Sequence, residues 1–428
     1  MKRKAYSGRR VNEVDVSRMV ARREAQAVWV GVDTGKYELQ LVANWADQDF
    51  ERPWLVKNPL EIRVAVQKLK ELAKGRKLVI AMEPSGSYGD PFRQAVSDAG
   101  LEMHRVSPKA SHDYAETFDG VPSQHDGKDA AVVAELSRIG KSKLWKFEVL
   151  AQWDQELEWW VDQAETSRRI LQLWTGRLEG KLARHWPEIS HLLKVKSATV
   201  LKTLLEYGGP DALAQDAEAA KKLKSYGLGY LKPQRIQQVI ESAKVTVGVR
   251  LRDLDRHRLR EYAAAALEAR VKQKRASSQL LKLARQKPAV VGMGKVVGVA
   301  TACVLWAYLG DPAEYHCGAA YVKAMGLNLK ERSSGIHKGK LKISKRGFAA
   351  VRAWMYMSAM RWTGKEPVNT WYERKKKKDG DKASRALIGI MRRLGLAVHS
   401  VGAYGVAFES QRLFGCGKKK GRCVAAAA

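Results

Sequence analysis

Between residues 26 and 145 the apolar pattern changes period repeatedly, and this restricts the fold more than any other feature of the chain. AVWVGVD is a short β-branched run, ELQLVAN alternates, and RPWLV follows a polar turn. Three such runs in close succession predict an antiparallel meander. Residues 59–72 (PLEIRVAVQKLKEL) then take helical spacing, KLVIAME returns to a buried-strand run, and 88–99 is helical again. EMHRV reads as a strand, and helices start near Lys109 and Asp126. The order βββαβαβα predicts an α/β sheet with helices on its faces over residues 26–148. Residues 1–25 begin MKRKAYSGRR and read as a basic arm; no apolar h-region follows, so a signal peptide is not expected.

Residues 149–287 are long, charged and rich in Leu, Ala and Trp. They predict two long helices paired as an antiparallel coiled coil. Gly208, Gly209, Pro210, Gly227, Gly229 and Pro233 break the stretch 187–244, which reads as a small helical insert. Residues 288–410 are mainly helical in pattern, and 411–428 form a basic tail. Within PAVVGMGKVVGVATACVLWAYLGD, a Gly-x-Gly turn that opens a helix could offer backbone N–H groups to phosphate, although a tight helix–helix turn explains it equally.

Charge narrows the partners. With 77 Lys+Arg against 45 Asp+Glu the chain carries +32, while 45% hydrophobic residues exclude wholesale disorder. Such an excess points to a polyanion, most simply nucleic acid. The longest uninterrupted apolar or small run, residues 296–310, falls short of the roughly 20 residues of a membrane span. No membrane partner is expected, and a cytoplasmic location is. Four cysteines, Cys303, Cys317, Cys416 and Cys423, are too few for a disulfide framework, and Cys416 and Cys423 lack a convincing ligand spacing.

Four carboxylates stand at places where chemistry is done. Asp33 ends one strand (VWVGVDTGK) and Glu83 another (VIAMEPSGSY), so both project from strand carboxyl ends, where open α/β sheets place their sites. Asp126 and Asp129, in HDGKDAAVVAEL, share a face at a helix start. Converging acids repel unless a cation sits among them, and a hard divalent ion is expected. Two ions about 4 Å apart could stabilise both the attacking and the leaving oxygens of a phosphodiester. Each acid also has a local reading: Asp126 as N-cap with Asp129 as its capping-box partner, Asp33 as a turn residue, Glu83 as a strand terminator. Further on, LNLKERSSGIHKGKLKISKRG gathers Lys330, Arg332, Lys338, Lys340, Lys342, Lys345 and Arg346 against the single acid Glu331; these cations could grip phosphates or line a solvated loop.

VWVGVDTGK, VIAMEPSGSY and HDGKDAAVVAEL resemble the three motifs of the RuvC-like (ribonuclease H-like) DEDD domain of a family of insertion-sequence transposases, which includes Piv-type invertases and bridge-RNA-guided recombinases. VGMGKVVGVATACVLWAYLGD and AMGLNLKERSSGIHKGKLKISKRG resemble that family's second, serine-containing transposase domain. The similarity covers nearly all of residues 26–410. It implies that Asp33, Glu83, Asp126 and Asp129 bind Mg²⁺, as two ions per site. It also implies that a serine attacks DNA to leave a covalent phosphoserine link. Counting forward from Met325-Gly326-Leu327 favours Ser334; counting back from ISKRG favours Ser333. The implied partners are donor and target DNA, a noncoding bridge RNA, and further copies of the chain as a dimer or tetramer. Two other readings compete: a structure-specific endonuclease in which the acids activate water, and a non-catalytic nucleic-acid-binding protein.

Overall fold

The computed structural model describes residues 7–21, 26–47, 49–84, 86–118, 125–146, 151–331, 339 and 341–415. The chain divides into two compact units, residues 1–149 and 150–428. The first unit comprises β1 (Arg9–Arg10), α1 (Val16–Val20), β2 (Ala27–Thr34), β3 (Glu38–Trp45), β4 (Trp54–Lys57), α2 (Ile62–Ala73), β5 (Lys77–Met82), α3 (Asp90–Asp98), β6 (Met103–Val106), α4 (Pro108–Phe118), α5 (Asp126–Arg138) and β7 (Ser142–Leu144).

Among its described residues seven strands form one mixed sheet in the order β1-β4-β3-β2-β5-β6-β7. β2, β3 and β4 are the antiparallel meander; β5 joins β2 in parallel and β6 joins β5 in parallel. Side chains alternate between the faces. Val28, Val30, Val32, Leu39, Leu41 and Ile80 pack with Leu69, Phe92 and Val96 of α2 and α3. On the opposite face Val42 meets Ala130 and Ala131 of α5, while Ala81 and Val106 meet Val132, Val133 and Leu136.

Two details depart from the sequence reading. Residues 9–20, expected within a basic arm, contribute a strand and a helix, because Val11, Val14, Val16 and Met19 bury into the α2 face of the core. β7, which the apolar pattern did not announce, pairs antiparallel to β6 at the sheet edge. Three residues with two exposed side chains leave no hydrophobic signature.

The second unit is helical. α6 (Gln152–His185) and α12 (Asp253–Ala284) are its long helices. Trp153 Nε1 donates to Leu283 O at 3.1 Å near one pair of ends, and Val249 N donates to Arg184 O at 2.9 Å near the other, so the two run antiparallel. Leu157, Val161, Ala164, Leu171, Thr175, Leu178, Leu182 and His185 bury along α6 at steps of three, four and seven residues, one apolar stripe turned to the interior. Between them lie α7 (Ile189–Leu192), α8 (Ala198–Tyr207), α9 (Pro210–Gln215), α10 (Ala219–Tyr226) and α11 (Pro233–Lys244).

Beyond the pair, α13 (Pro288–Val297), α14 (Val299–Leu309), α15 (Gly318–Ala324), a hairpin of β8 (Leu329–Lys330) and β9 (Lys342–Ile343), α16 (Ala349–Trp362), α17 (Val368–Lys378), α18 (Ala383–Tyr404) and α19 (Ser410–Phe414) complete the unit. The Gly-x-Gly pair is not a turn. Gly292 and Gly294 lie inside α13, where small size admits Val401 and Val299. The corner is Gly298 at φ +86°, and Arg361 and Trp362 cap the carbonyls of Val297 and Val296 just before it. The basic run ERKKKK, residues 373–378, forms the end of α17. Ser410–Phe414, most of it read as tail from residue 411 on, is helical with Phe414 buried against Trp371; Cys416 and Cys423 lie outside the described residues. Among the described residues, only α18 is long and apolar enough to cross a membrane; 56% of its apolar window is buried inside the unit.

A candidate metal centre on the central sheet

Asp33 is the penultimate residue of β2, on the face shared with Trp29 and Gly31. Val32 pairs in parallel with Met82, so Glu83, one residue past β5, continues the same row. On the other side Asp33 pairs with Gln40 of β3. The row is therefore Gln40, Asp33, Glu83, at the carboxyl end of β2 and β5.

α5 brings the other acids to this row, and Gly31 determines how closely it does so. A Cβ at Gly31 would overlap the Ala130 carbonyl oxygen and the Ala134 nitrogen. Lacking one, the strand lets the helix backbone rest on it, and the first turn of α5, with Asp126 and Asp129, falls beside Asp33. The row through Gly31 continues with Val42 and Ala81, both buried. Sequence reading passed over Gly31, although a glycine inside a β-branched run signals a close backbone approach. It also passed over Gln40, whose Nε2 donates to Asp126 Oδ2 at 3.5 Å.

The capping reading of Asp126 does not describe this helix. His125 is the N-cap and makes no side-chain capping bond, while Asp126 and Asp129 lie in the first turn. There the positive end of the helix dipole favours both charges.

Burial, then the charges of Asp126 and Asp129, push the Asp33 carboxyl up to about 6; Glu83 adds a smaller push, and the Thr34 backbone N–H opposes it. Burial and Asp126 likewise raise Asp129, against Lys128 and His125. All four predicted acids thus share one field centred on Asp33. They are not a finished cage: no group of three His, Cys, Asp or Glu side chains among the described residues is drawn together tightly enough to hold a metal. The donor set is nevertheless the right kind. It is carboxylate oxygen throughout, which suits Mg²⁺, and its mutual repulsion is what a divalent cation relieves.

In the second unit Ser333 and Ser334 lie outside the described residues, as do Arg332, Lys338 and Lys340. The root of their hairpin is described. Gly326 (φ +73°) and Gly347 (φ +136°), just outside the two strands, let the flanking backbones come close, since a Cβ at either would overlap Arg346 O or Ala324 O. Arg392 donates to Leu327 O, and Arg352 Nη1 donates to Gly347 O at 2.8 Å. Lys330 and Lys342 face each other in register. Both are exposed, as are Lys345 and Arg346, and none makes an ion pair with a described residue.

Residues 294–373 match the model of the transposase IS116/IS110/IS902 family. That segment runs from the end of α13 through the hairpin into α17. The chain is also 25% identical over 357 residues to the insertion element IS110 uncharacterized 43.6 kDa protein of Streptomyces coelicolor, a match that spans 79% of this chain and 84% of the relative. Among solved structures it is similar to T. thermophilus RuvC in complex with Holliday junction substrate, at 18% identity and a TM-score of 0.22, with 28% of this chain and 99% of that one covered.

Proposed function

We propose that this protein is a DNA transposase or recombinase of a mobile element, with a RuvC-like metal site in the first unit and a serine nucleophile in the second. The observation that carries the reading is the meeting of Asp33, Glu83, Asp126 and Asp129 in one field at the carboxyl end of the central strands. The match over residues 294–373, which span both candidate serines, supports the second half.

In this reading Asp33, Glu83, Asp126 and Asp129 hold Mg²⁺, which when bound would favour the ionised hydroxyl and offset charge on the phosphoryl oxygens. The Ser334 hydroxyl, with Ser333 as the alternative, attacks phosphorus. The P–O bond to one sugar breaks, that sugar oxygen takes up a proton, and the phosphate stays esterified to serine. Attack by another strand's sugar hydroxyl reverses the step and rejoins DNA without an external energy source, because one phosphodiester bond is kept throughout. Exposed Lys330, Lys342, Lys345 and Arg346 then position phosphate without reading sequence. With recognition left to base pairing, a bridge RNA and a dimer or tetramer complete the proposal.

The test is to incubate the protein with labelled DNA, Mg²⁺ and candidate RNA, and then denature. Label retained on the wild-type protein, and lost in Ser334→Ala or Ser333→Ala, supports the reading and selects the serine. Free nicked DNA made equally well by both variants establishes water as the nucleophile and a structure-specific endonuclease instead.

A further inference from the structure

The acids occupy one end of the sheet. At the other end, where β5 and β6 begin, lies a cleft of about 710 Å³ that the proposed chemistry does not use. Arg76, Lys77, Arg93 and Lys146 line it against one carboxylate, Glu102; Trp145 forms part of the wall, and most of the rest is aliphatic.

The charges of Arg76, Lys77 and Lys146 are poorly compensated among the described residues. Arg93 stands 3.7 Å from Asp90 and stacks 4.2 Å from the Trp145 ring. Among the described residues the Glu102 carboxylate stands 3.9 Å from His104. Arg76 Nη1 donates to Lys74 O at 3.2 Å, but its Nε is buried without a hydrogen-bond partner among the described residues. Arg76, Lys77 and Lys146 make no ion pair with any described residue. A half-buried guanidinium and two exposed ammonium groups beside an aromatic and aliphatic wall suit a ligand with one anionic and one flat apolar part. A nucleotide has both, and the volume admits one. A duplex is too broad to enter a concave site of this size, whereas an unpaired nucleotide is not.

We propose that this cleft is a second nucleic-acid site that takes an unpaired nucleotide of a single strand, its phosphate on Arg76, Lys77 and Lys146 and its base and sugar against the apolar wall. The site lies apart from the acids and does not depend on what they catalyse.

The test uses the full chain in EDTA, so that binding is read without cutting. A single-stranded oligonucleotide carrying 5-bromouridine is irradiated on the protein and the crosslinked peptides are mapped. Crosslinks are expected in peptides that include Arg76 or Trp145. Arg76→Glu/Lys146→Glu loses them and weakens single-strand binding by about tenfold, while Asp33→Asn keeps them. Arg76→Gln/Lys146→Gln, checked for an unchanged melting temperature, gives the same loss in smaller measure. Three results would overturn the proposal: crosslinks confined to other peptides, glutamine variants that bind normally but melt early (which would make these cations helix-end caps), or adenosine monophosphate binding in the cleft while the oligonucleotide does not.

Discussion

Asp33 and Gly31 lie two residues apart on one strand face, and between them they determine whether the acidic site exists. Alanine at Gly31 would lift α5 off the sheet. Gly31→Ala should destabilise the first unit by about 1–3 kcal/mol in urea unfolding. It should also remove Mg²⁺-dependent DNA cutting even where the protein still folds. Asp33 makes a pH prediction. Its folded pKa of about 6 exceeds the ordinary 3.8, so its favourable contribution is complete below about pH 4 and is lost as pH rises through about 6. In EDTA, wild-type melting temperature should therefore fall between about pH 4 and pH 7, and Asp33→Asn should flatten that slope and gain about 1 kcal/mol at neutral pH. Added Mg²⁺ should reverse the order of the two proteins. The facing lysines behave oppositely. Like charges in register oppose hairpin pairing, so Lys330→Ala/Lys342→Ala should leave stability unchanged or slightly raised. The same variant should lower DNA affinity and reduce its salt slope by about 2.

At the scale of elements, the fold was legible wherever one apolar period ran for a full strand or helix. The meander, the crossovers through α2 and α3, and the 34- and 32-residue helices all announce themselves in this way. β7 and the 9–20 segment did not, because short elements carry too few residues to show a period. The polar positions of β3 do not announce their surroundings: Asn44 is fully buried and its amide donates to Glu135 at 2.7 Å. What faces them is α5, a helix far off in sequence. Glu165 is a second such case. Burial works against its charge, but hydrogen bonds from Arg168, Arg169 and Trp354 outweigh that and hold its carboxyl at about 2. The Trp354 bond, 2.9 Å long, ties α6 to α16. Stability from this group is present above about pH 4.5 and is lost as pH falls through about 2. Glu165→Ala should cost about 2 kcal/mol at neutral pH, read by urea unfolding, and less under acid conditions.

Over the whole molecule, a net charge of +32 makes binding to nucleic acid steeply salt-dependent, and chelation should separate binding from chemistry. EDTA is expected to abolish cutting and leave low-salt binding intact, as measured by gel shift beside a cleavage assay; loss of both together would detach the acids from catalysis. The sequence by itself pointed to a polyanionic partner, to the alternation that makes a mixed sheet, to two long helices and to four acids at strand and helix ends. Those depend on composition and on period, which are local quantities. Only the tertiary structure decided that the four acids share a field, that a glycine sets their approach, that Gln40 reaches Asp126, and that a cationic cleft stands at the other end of the sheet. Each of these comes from strand order and from a helix resting on a strand some hundred residues away, and no local pattern of side chains encodes which distant backbone will come close.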